Sequence, residues 1–320
     1  MSKILLTGAT GFVGSAILIK LLEFKYSPVI VRRPYLNAKY SECDEIIVDS
    51  IDSKADWKGH LSGVDVVIHC AARVHIMNDE VEDPLSEFRE VNLKGTINLA
   101  KSAIKSRVKR FIFISSIKVG GESSEIGYPL NEKTNNVPTE PYGLSKYEAE
   151  EELKKLSKKH GMEVVIIRPA LVYGPGVKAN FETMMEWLSK GIPIPLGATT
   201  NKRSLIALDN LVDFIFLCME HPKAANETFF ISDDNDLSTT QLLRKLSDAL
   251  GKHCFLIPIP SKLLSLGFLV CGLESFSVRL LDSLQVSAAK AKNLLGWTPK
   301  ITVDEALKKT ADFYKKNNTK

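Results

Sequence analysis

The fold of this chain is decided near its start, by the stretch Lys3-Ile4-Leu5-Leu6-Thr7-Gly8-Ala9-Thr10-Gly11-Phe12-Val13-Gly14. Residues 3–7 are a short apolar run that predicts a buried strand, and the apolar spacing over 12–24 predicts a helix. The glycines between them allow a tight turn and a close approach to a pyrophosphate, whose charge then meets the helix N-terminus. The spacing is GxxGxxG rather than GxGxxG, and its strand–loop–helix context favours a dinucleotide site over a plain turn. We expect the dinucleotide to contact Gly8, Thr10, Gly11, Phe12, Val13 and Gly14.

Apolar strands then alternate with helices along the first half of the chain. Further strands are predicted at 29–31, 46–48, 64–69, 111–114 and 164–167, with helices at 88–103 and 142–159. Continuous apolar strands of this kind are typical of a parallel sheet that is covered by helices on both faces. The pattern therefore predicts an α/β protein with a Rossmann-type, doubly wound parallel sheet.

The pattern changes in the second half of the chain, where loops rich in Pro and Gly at 174–176 and 191–197 separate shorter elements. We therefore expect a dinucleotide-binding Rossmann domain at 1–170 and a smaller C-terminal substrate-binding lobe at 171–320. A late strand is predicted at 229–231. It does not have to stay with the second part, because it can return to the first sheet.

The overall composition is that of an ordinary globular protein, with a formal net charge of +4 over 320 residues. The charges are dispersed, and no arginine-rich arm or basic–aromatic stripe indicates nucleic-acid binding. The five cysteines are scattered without a CxxC or Cys/His cluster, so we expect reduced thiols, no metal site and a cytoplasmic location. The N-terminal residues run directly into the glycine loop, which leaves no room for the longer apolar region of a signal peptide.

One strongly apolar segment, at 255–273, complicates this picture. It is interrupted by Pro258, Pro260 and Lys262, and the run after Pro260 is too short to span a bilayer. We interpret it as a buried helix of the second part, with peripheral contact at a membrane surface as the alternative.

The second predicted strand ends in Arg32-Arg33, at the place where a carboxylate would hold a ribose 2′-hydroxyl. Guanidinium groups pair with phosphate in a bidentate way, so these two residues suit a 2′-phosphate. The sequence thus favours NADP over NAD as the cofactor. An arginine that stacks on the adenine or faces solvent is the alternative.

A tyrosine and a lysine lie one helical turn apart in Tyr142-Gly143-Leu144-Ser145-Lys146. A free tyrosine has a pKa of about 10, so it is a poor base near neutral pH. An ammonium held nearby favours the phenolate and is expected to lower that pKa. The YxxxK spacing alone often reflects packing on an amphipathic helix, but the glycine loop in the same chain favours a catalytic pair.

With these motifs placed, the chain resembles the extended short-chain dehydrogenase/reductase family, in its NAD-dependent epimerase/dehydratase branch. The resemblance covers nearly the whole chain, because several motifs occur in the family's order. They are His69-Cys70-Ala71-Ala72, Asn92-Leu93-Lys94-Gly95-Thr96, Ser116, Arg168-Pro169-Ala170-Leu171-Val172-Tyr173-Gly174-Pro175-Gly176 and Leu295-Gly296-Trp297-Thr298-Pro299.

The resemblance implies catalytic roles for three of these residues. Tyr142 would be the acid/base at a sugar hydroxyl or carbonyl. Lys146 would lower the pKa of Tyr142 and hydrogen-bond the nicotinamide ribose, and Ser116 would hydrogen-bond the same sugar oxygen as Tyr142. The alternatives are a strand-end cap for Ser116 and a satisfied core histidine for His69.

The resemblance also implies contacts with the dinucleotide beyond the glycine loop. These are expected from Asp49 and the residues around Asp65 near the adenine, from Ala71 and Ala72 along the dinucleotide, and from Asn92 on the cofactor side.

The sequence departs from the nucleotide-sugar dehydratases of this family, which carry Asp-Glu directly after the catalytic hydroxyl residue. This chain has Ile117 and Lys118 there, and neither can serve as that acid/base pair. Dehydration is therefore disfavoured. Hydride transfer at a sugar carbon remains, as net 4-keto reduction or as reversible 4-epimerisation.

Longer strings at 72–77, 115–119, 176–181 and 283–286 are similar to one subgroup. It is the UDP-N-acetylquinovosamine-forming 4-reductases of bacterial surface-polysaccharide synthesis, which are often labelled UDP-glucose 4-epimerases. We therefore predict reduction of the C4 ketone of a UDP-4-keto-6-deoxy-N-acetylhexosamine. The arginines after the second strand fit a reductase that exchanges NADPH at each turnover.

Two other functions stay open at this point. One is a UDP-sugar 4-epimerase of the UDP-glucose or UDP-N-acetylglucosamine type, including one that acts on a lipid-linked sugar. The other is a non-catalytic dinucleotide-binding regulator, which the intact Ser116, Tyr142 and Lys146 argue against. The family also implies a homodimer built on the helices near 88–103 and 142–159.

A UDP-sugar substrate needs cations and aromatic or amide partners. Asn180 and Phe181 follow the loop at 174–176 and could hold the diphosphate and the uracil. Arg203 and Arg279 are candidates for phosphate contact, because both match family positions.

Overall fold

The computed structural model describes residues 2–34, 43–74, 83–134, 136–270 and 274–318. The strands in these residues are β1 (Lys3–Thr7), β2 (Ser27–Arg32), β3 (Asp44–Ile47), β4 (Val66–His69), β5 (Arg110–Ile114), β6 (Glu163–Pro169), β7 (Leu171–Tyr173), β8 (Leu205–Ala207) and β9 (Thr228–Ile231). The α-helices are α1 (Phe12–Glu23), α2 (Pro84–Phe88), α3 (Thr96–Lys105), α4 (Pro141–His160), α5 (Asn180–Ser189), α6 (Leu208–Glu220), α7 (Thr239–Leu250), α8 (Ser261–Val270), α9 (Glu274–Leu281), α10 (Ala289–Leu295) and α11 (Val303–Asn318). A π-helical stretch, Arg89–Gly95, joins α2 to α3.

The central sheet has seven strands in the order β3-β2-β1-β4-β5-β6-β9. Strands β1 to β6 pair in parallel, and the register places Leu5 opposite both Val29 and Val67. From the central pair β1 and β4, the strands follow outward to β3 on one side and to β9 on the other. This is the doubly wound arrangement that the sequence predicts. The late strand, β9, lies at the edge of this sheet beside β6.

Apolar residues on one face of the sheet pack against α3 and α4. This core includes Leu5, Val67 and Phe111 from the strands, together with Leu99 of α3 and Leu153 of α4. Helix α1 contacts β1 and β2. Phe24, the residue that follows α1, meets Phe216 of α6 with a distance of 5.7 Å between the ring centroids. Because β1 to β6 are parallel, their carboxyl ends and the loops that follow them lie at one edge of the sheet.

The chain divides into two compact units. Unit 1 comprises Met1–Gly121, Asn135–Arg168 and Val212–Phe229. Unit 2 comprises Glu122–Thr134, Pro169–Leu211 and Phe230–Lys320. Each unit thus contains residues from before and after residue 170, where we expected a single boundary. The chain passes from one unit to the other several times.

Unit 2 contains a parallel pair of strands, β7 and β8, and its own apolar core. Helix α7 packs on α11 and α5 in this core, and α8 packs on α9. The expectation of a buried helix within 255–273 is wrong for α8, which has no buried residue. Residues 271–273 lie outside the described part of the chain. Among the described residues, no helix is both long and apolar enough to cross a membrane.

Candidate active site

The glycine loop after β1 brings backbone segments closer together than a side chain would permit. Gly8 has a φ of +74°, and a Cβ atom there would lie 2.8 Å from the amide nitrogen of Ala71. A Cβ atom on Gly14 would lie 2.0 Å from the carbonyl oxygen of Gly8. Gly11 is the residue that precedes α1, and it has no side chain that could accept from the first backbone N–H groups of the helix. The first N–H groups of α1 can therefore bind an anion, as a dinucleotide pyrophosphate requires.

The other loop residues surround this helix start. Thr10 is exposed, and Phe12 and Val13 are half-buried in the first turn of α1. The hydroxyl of Thr7 accepts a hydrogen bond of 3.2 Å from the amide of Ala71, which ties the loop after β4 to the end of β1. Ala71 and Ala72 are half-buried beside the glycine loop. Their position fits the expected contact with a dinucleotide.

Arg32 and Arg33 lie at the carboxyl end of β2, as predicted. The Nε of Arg32 forms a 2.8 Å ion pair with Glu45 on the neighbouring strand β3, and its Nη1 donates to the carbonyl of Arg33. Arg33 is exposed, and Asp49 is exposed just beyond β3 at the same edge of the sheet. Part of the Arg32 charge is thus neutralised by a carboxylate that the sequence pattern did not indicate.

Asp65 does not lie near the expected adenine site. It precedes β4 and accepts a 3.1 Å hydrogen bond from the amide of Lys3, at the start of β1. Lys109 pairs with it at 2.8 Å and holds the pKa of the Asp65 carboxyl below its usual range. Because the strands are parallel, this is the amino edge of the sheet, opposite the glycine loop.

His69 is a satisfied core histidine. Its Nδ1 lies 2.7 Å from the hydroxyl of Thr7, and its Nε2 lies 2.9 Å from the hydroxyl of Thr96. Burial lowers the pKa of His69 to about 3, so the ring is neutral at physiological pH. It therefore joins β1, β4 and α3 and has no free nitrogen for catalysis.

Asn92 is fully buried in the π-helical stretch and connects the loop after β4 with α4. Its Oδ1 accepts from the amide of Arg73 at 2.8 Å, and its Nδ2 donates to the carbonyl of the same residue at 3.0 Å. The Nδ2 also donates to the hydroxyl of Ser145 at 3.0 Å. Asn92 thus fixes the loop after β4 relative to the helix that carries Tyr142 and Lys146.

Ser116 and Tyr142 are brought together by the ends of β5 and α4. The N-terminus of α4 is capped by the carboxylate of Glu140, which accepts from the amides of Tyr142 and Gly143 at 3.2 and 3.0 Å. The side chain of Ser116 lies close enough to the Tyr142 phenol to lower the pKa of that phenol. Its hydroxyl also accepts from the amide of Lys118 at 3.2 Å, so Ser116 is a cap as well as a partner of the tyrosine.

The expected fall in the pKa of Tyr142 is not found. Burial raises this pKa to about 12, and the charge of Glu140 raises it further, against the lowering effect of the hydrogen bond with Ser116. Desolvation of the phenolate therefore outweighs its stabilisation in the ligand-free chain. Tyr142 carries its proton throughout the physiological range.

Lys146 is buried, and its ammonium is held by one backbone group and one ring. The Nζ donates to the carbonyl of Ile114 at 2.9 Å and lies 4.4 Å from the centroid of the Phe113 ring. Burial lowers the pKa of Lys146 to about 8, although the nearby charge of Glu150 favours the ammonium. Lys146 is thus protonated at neutral pH but close to the point at which it loses its charge.

A buried ion pair below Lys146 was not predicted from the sequence. Glu150 lies one turn after Lys146 on α4 and is fully buried. It accepts from the Nε and Nη2 of Arg168 at 3.0 and 2.5 Å, and from the hydroxyl of Ser115 at 2.5 Å. The only sequence signal for this pair was the position of Glu150, one helical turn after Lys146. Its partner, Arg168, lies on a separate element, β6.

The substrate residues expected in unit 2 have different surroundings. Asn180 is exposed at the first position of α5, where a phosphate contact remains feasible. Phe181 is instead a core residue: its ring is buried and stacks on Tyr173 with a centroid distance of 5.5 Å. The next turns of α5 pack on the same core, so the helix must direct Phe181 inward.

Arg203 is half-buried and already holds two backbone carbonyls. Its Nη1 donates to the carbonyl of Asp282 at 3.0 Å and to that of Val278 at 3.4 Å, at the end of α9. Burial lowers the pKa of this guanidinium, which nonetheless stays charged. Arg279 belongs to α9, but its side chain lies outside the described part of the structure.

The profile of the NAD-dependent epimerase/dehydratase family matches residues 4–232. The chain belongs to this family. It is 48% identical over 319 residues to a protein named UDP-glucose 4-epimerase from Vibrio cholerae, with 99% of this chain and 97% of that protein covered. It is 28% identical over 268 residues to the N-acetyl-alpha-D-glucosaminyl-diphospho-ditrans,octacis-undecaprenol 4-epimerase of Escherichia coli O157:H7, with 83% and 77% covered. The crystal structure of UDP-glucose 4-epimerase with UDP-glucose from Thermotoga maritima is similar, with a TM-score of 0.77, 26% identity, and 98% and 99% of the two chains covered.

Membership in the NAD-dependent epimerase/dehydratase family agrees with the resemblance seen in the sequence and with the observed fold. It makes the chain an enzyme of nucleotide-sugar metabolism. Within the described residues no group of His, Cys, Asp or Glu side chains is arranged to hold a metal ion, and Cys43, Cys70, Cys218 and Cys254 are not joined in disulfides.

Proposed function

We propose that this enzyme reduces the C4 ketone of a UDP-4-keto-6-deoxy-N-acetylhexosamine. The observation that carries this proposal is the Tyr142 phenol at the start of α4, beside Ser116 and one helical turn from the buried Lys146 ammonium. A ketone reduction needs a proton donor at the carbonyl oxygen, and a phenol with a pKa of about 12 is in the donor form at neutral pH. When bound, the reduced nicotinamide supplies the hydride.

Each of the three residues then has a separate task. Tyr142 donates its proton to the developing C4 alkoxide, and Ser116 orients the same oxygen. The Lys146 ammonium stabilises the phenolate that remains until solvent returns the proton. The backbone carbonyl of Ile114 and the Asn92–Ser145 contact keep the helix and its lysine in place.

The residues after Ser116 support a reaction without dehydration. Ile117 is buried and apolar, and Lys118 forms a 3.3 Å ion pair with Glu140, the cap of α4. Elimination of water from the sugar needs an acid and a base next to the reacting carbons. The two positions instead complete the turn that holds Ser116 against Tyr142.

We further propose NADPH as the reductant. The end of β2 carries two arginines and no carboxylate, and Arg33 is exposed there. Arg33 is the more exposed of the two side chains, so we assign the 2′-phosphate contact mainly to it. An enzyme that consumes its reductant must exchange it at each turnover, which suits an open phosphate contact at the surface.

A UDP-sugar 4-epimerase is the second candidate, and the names of the relatives favour it. The Vibrio cholerae relative is named a UDP-glucose 4-epimerase, and the Escherichia coli relative a 4-epimerase of a lipid-linked sugar. The same three catalytic residues would serve, but Tyr142 would have to act first as a base. Reduction of a ketone, by contrast, needs Tyr142 only as a proton donor.

Two parallel incubations separate the two candidates. In the first, purified enzyme is mixed with UDP-4-keto-6-deoxy-N-acetylglucosamine and NADPH, and the near-ultraviolet absorbance of the reduced nicotinamide is followed together with the nucleotide-sugar products. The proposal predicts one NADPH oxidised for each ketone reduced. In the second, the enzyme is mixed with UDP-N-acetylglucosamine and NAD; interconversion of its C4 epimers there, with no NADPH oxidised in the first, would establish the epimerase instead.

A further inference from the structure

Helix α8 in unit 2 carries apolar side chains on both of its faces. Leu264 and Phe268, four residues apart, are half-buried, and Leu264 packs against the core of unit 2. On the opposite side Leu263, Leu266 and Val270 follow the spacing of one helical stripe, and they are 61%, 57% and 80% exposed. A surface helix normally directs polar residues outward, so this outer stripe needs an explanation.

The segment that leads into α8 extends the same exposed surface. Leu256 and Pro260 are bridged to Ile194 and Ala198, which holds the segment along the edge of unit 2. Phe255 at its start is 66% exposed. We call the α8 surface the set of exposed apolar side chains formed by Phe255, Ile257, Leu263, Leu266, Leu269 and Val270.

The segment that carries the α8 surface contains cations but no carboxylate. Residues 249–273, which are flanked by Asp248 and Glu274, contain no aspartate or glutamate, but they contain Lys252, His253 and Lys262. Both lysines are exposed, and within the described part of the chain neither forms an ion pair. An apolar stripe on a segment whose own charged side chains are cations is the pattern of a helix that lies in the plane of an anionic membrane interface.

We propose that the α8 surface docks this enzyme on an anionic lipid bilayer. The leucines and Phe255 enter the boundary between headgroups and acyl chains, while Lys262 and Lys252 contact lipid phosphates. A second copy of the chain is a weaker occupant, because a symmetric contact would bring lysines of the same charge together.

This inference does not depend on which reaction the enzyme catalyses, because its test measures binding alone. The full-length enzyme is sedimented with vesicles of phosphatidylcholine and with vesicles that also contain phosphatidylglycerol. We expect binding to the anionic vesicles, and a marked weakening as salt is added. Lys262→Glu should weaken this binding at least fivefold, whereas Lys58→Glu, which changes an exposed lysine of unit 1, should not.

The apolar contribution is tested with a matched pair of helix variants. Leu266→Glu should weaken vesicle binding by about tenfold or more, because an apolar anchor is replaced by a charge. Ile19→Glu, at a residue of α1 with a similar exposure of 60%, should leave binding unchanged. Failure of the unaltered enzyme to bind, or equal losses in both variants, would overturn the proposal. A dimer that Leu266→Glu dissociates, without vesicle binding, would assign the α8 surface to a second copy.

Discussion

Tyr142 illustrates how one residue can be identified from spacing while its chemistry depends on its surroundings. The sequence places it one turn before Lys146, and the structure confirms that both lie on α4. Its pKa rises to about 12 because the phenol is desolvated, which no sequence pattern could indicate. Tyr142 therefore carries its proton at neutral pH, which is the form that can donate to a developing alkoxide.

The role of Tyr142 predicts a sharp loss of turnover when its hydroxyl is removed. Tyr142→Phe should lower kcat for the ketone reduction roughly 1000-fold, because the proton donor is lost. Dinucleotide affinity and the free energy of unfolding should change little. Tyr147→Phe, on the same helix, is the control and should retain activity. Equal kcat values for the unaltered enzyme and Tyr142→Phe would remove Tyr142 from the mechanism.

The burial of Lys146 predicts a stability that depends on pH. Because its pKa falls from 10.5 to about 8, the unfolded chain binds one more proton than the folded chain between those values. The contribution of Lys146 to the free energy of unfolding therefore rises with pH in this window and is least favourable below pH 8. Between pH 7 and pH 9.5 the rise should be about 2 kcal/mol.

Urea unfolding at both pH values, in the unaltered enzyme and in Lys146→Met, measures this contribution. The methionine variant cannot titrate there, so the stability difference between the two proteins should change by the predicted amount. A difference that is independent of pH would show that the ammonium is not desolvated in the folded state.

At the scale of elements, close contact between β1, its loop and α1 depends on the absence of side chains. Gly14→Ala should lower the free energy of unfolding by several kcal/mol, because the new Cβ atom would overlap the carbonyl of Gly8. Gly267→Ala is the matched change on α8, where a Cβ atom meets nothing within 4 Å. It should raise stability by up to about 1 kcal/mol. Thermal unfolding of both variants checks the contrast, and equal effects would contradict the contact.

The strands and helices of the sheet were predictable because their periodicity is local. Each predicted strand from 3–7 to 164–167 appears in the structure, as does the late strand. Contacts between distant residues were not predictable. The pairs Glu150–Arg168 and Asn92–Ser145 form only after the sheet has assembled.

Burial was also difficult to predict for single helices. Phe181 was expected at the substrate and lies in a core, whereas the apolar α8 was expected to be buried and lies at the surface. An apolar sequence indicates that a helix face tends to be buried, but it does not show which neighbouring element buries it. This information depends on how the elements of unit 2 pack.

At the scale of the whole molecule, a preference for NADPH over NADH tests whether the enzyme binds and releases its reductant at each turnover. Arg33→Ala should raise the KM for NADPH about tenfold and leave the KM for NADH nearly unchanged, because only NADPH carries the 2′-phosphate. Arg244→Ala, an exposed arginine on α7, is the control. Equal effects on the two reductants would show that Arg33 does not contact the phosphate.

Two broader expectations for the molecule stay predictions. One is a cytoplasmic location, and the other is a homodimer built on the helices near 88–103 and 142–159. Analytical ultracentrifugation of the purified enzyme would measure the second directly.

The most direct test of the account follows the hydrogen that reaches the sugar. The enzyme is supplied with UDP-4-keto-6-deoxy-N-acetylglucosamine and NADPH in which both hydrogens at C4 of the nicotinamide are deuterium, and the product is examined by NMR. The account predicts one deuterium at C4 of a 6-deoxy sugar and an equal amount of NADP⁺. Recovery of the keto sugar without label, or interconversion of C4 epimers with no transfer of deuterium, would contradict it.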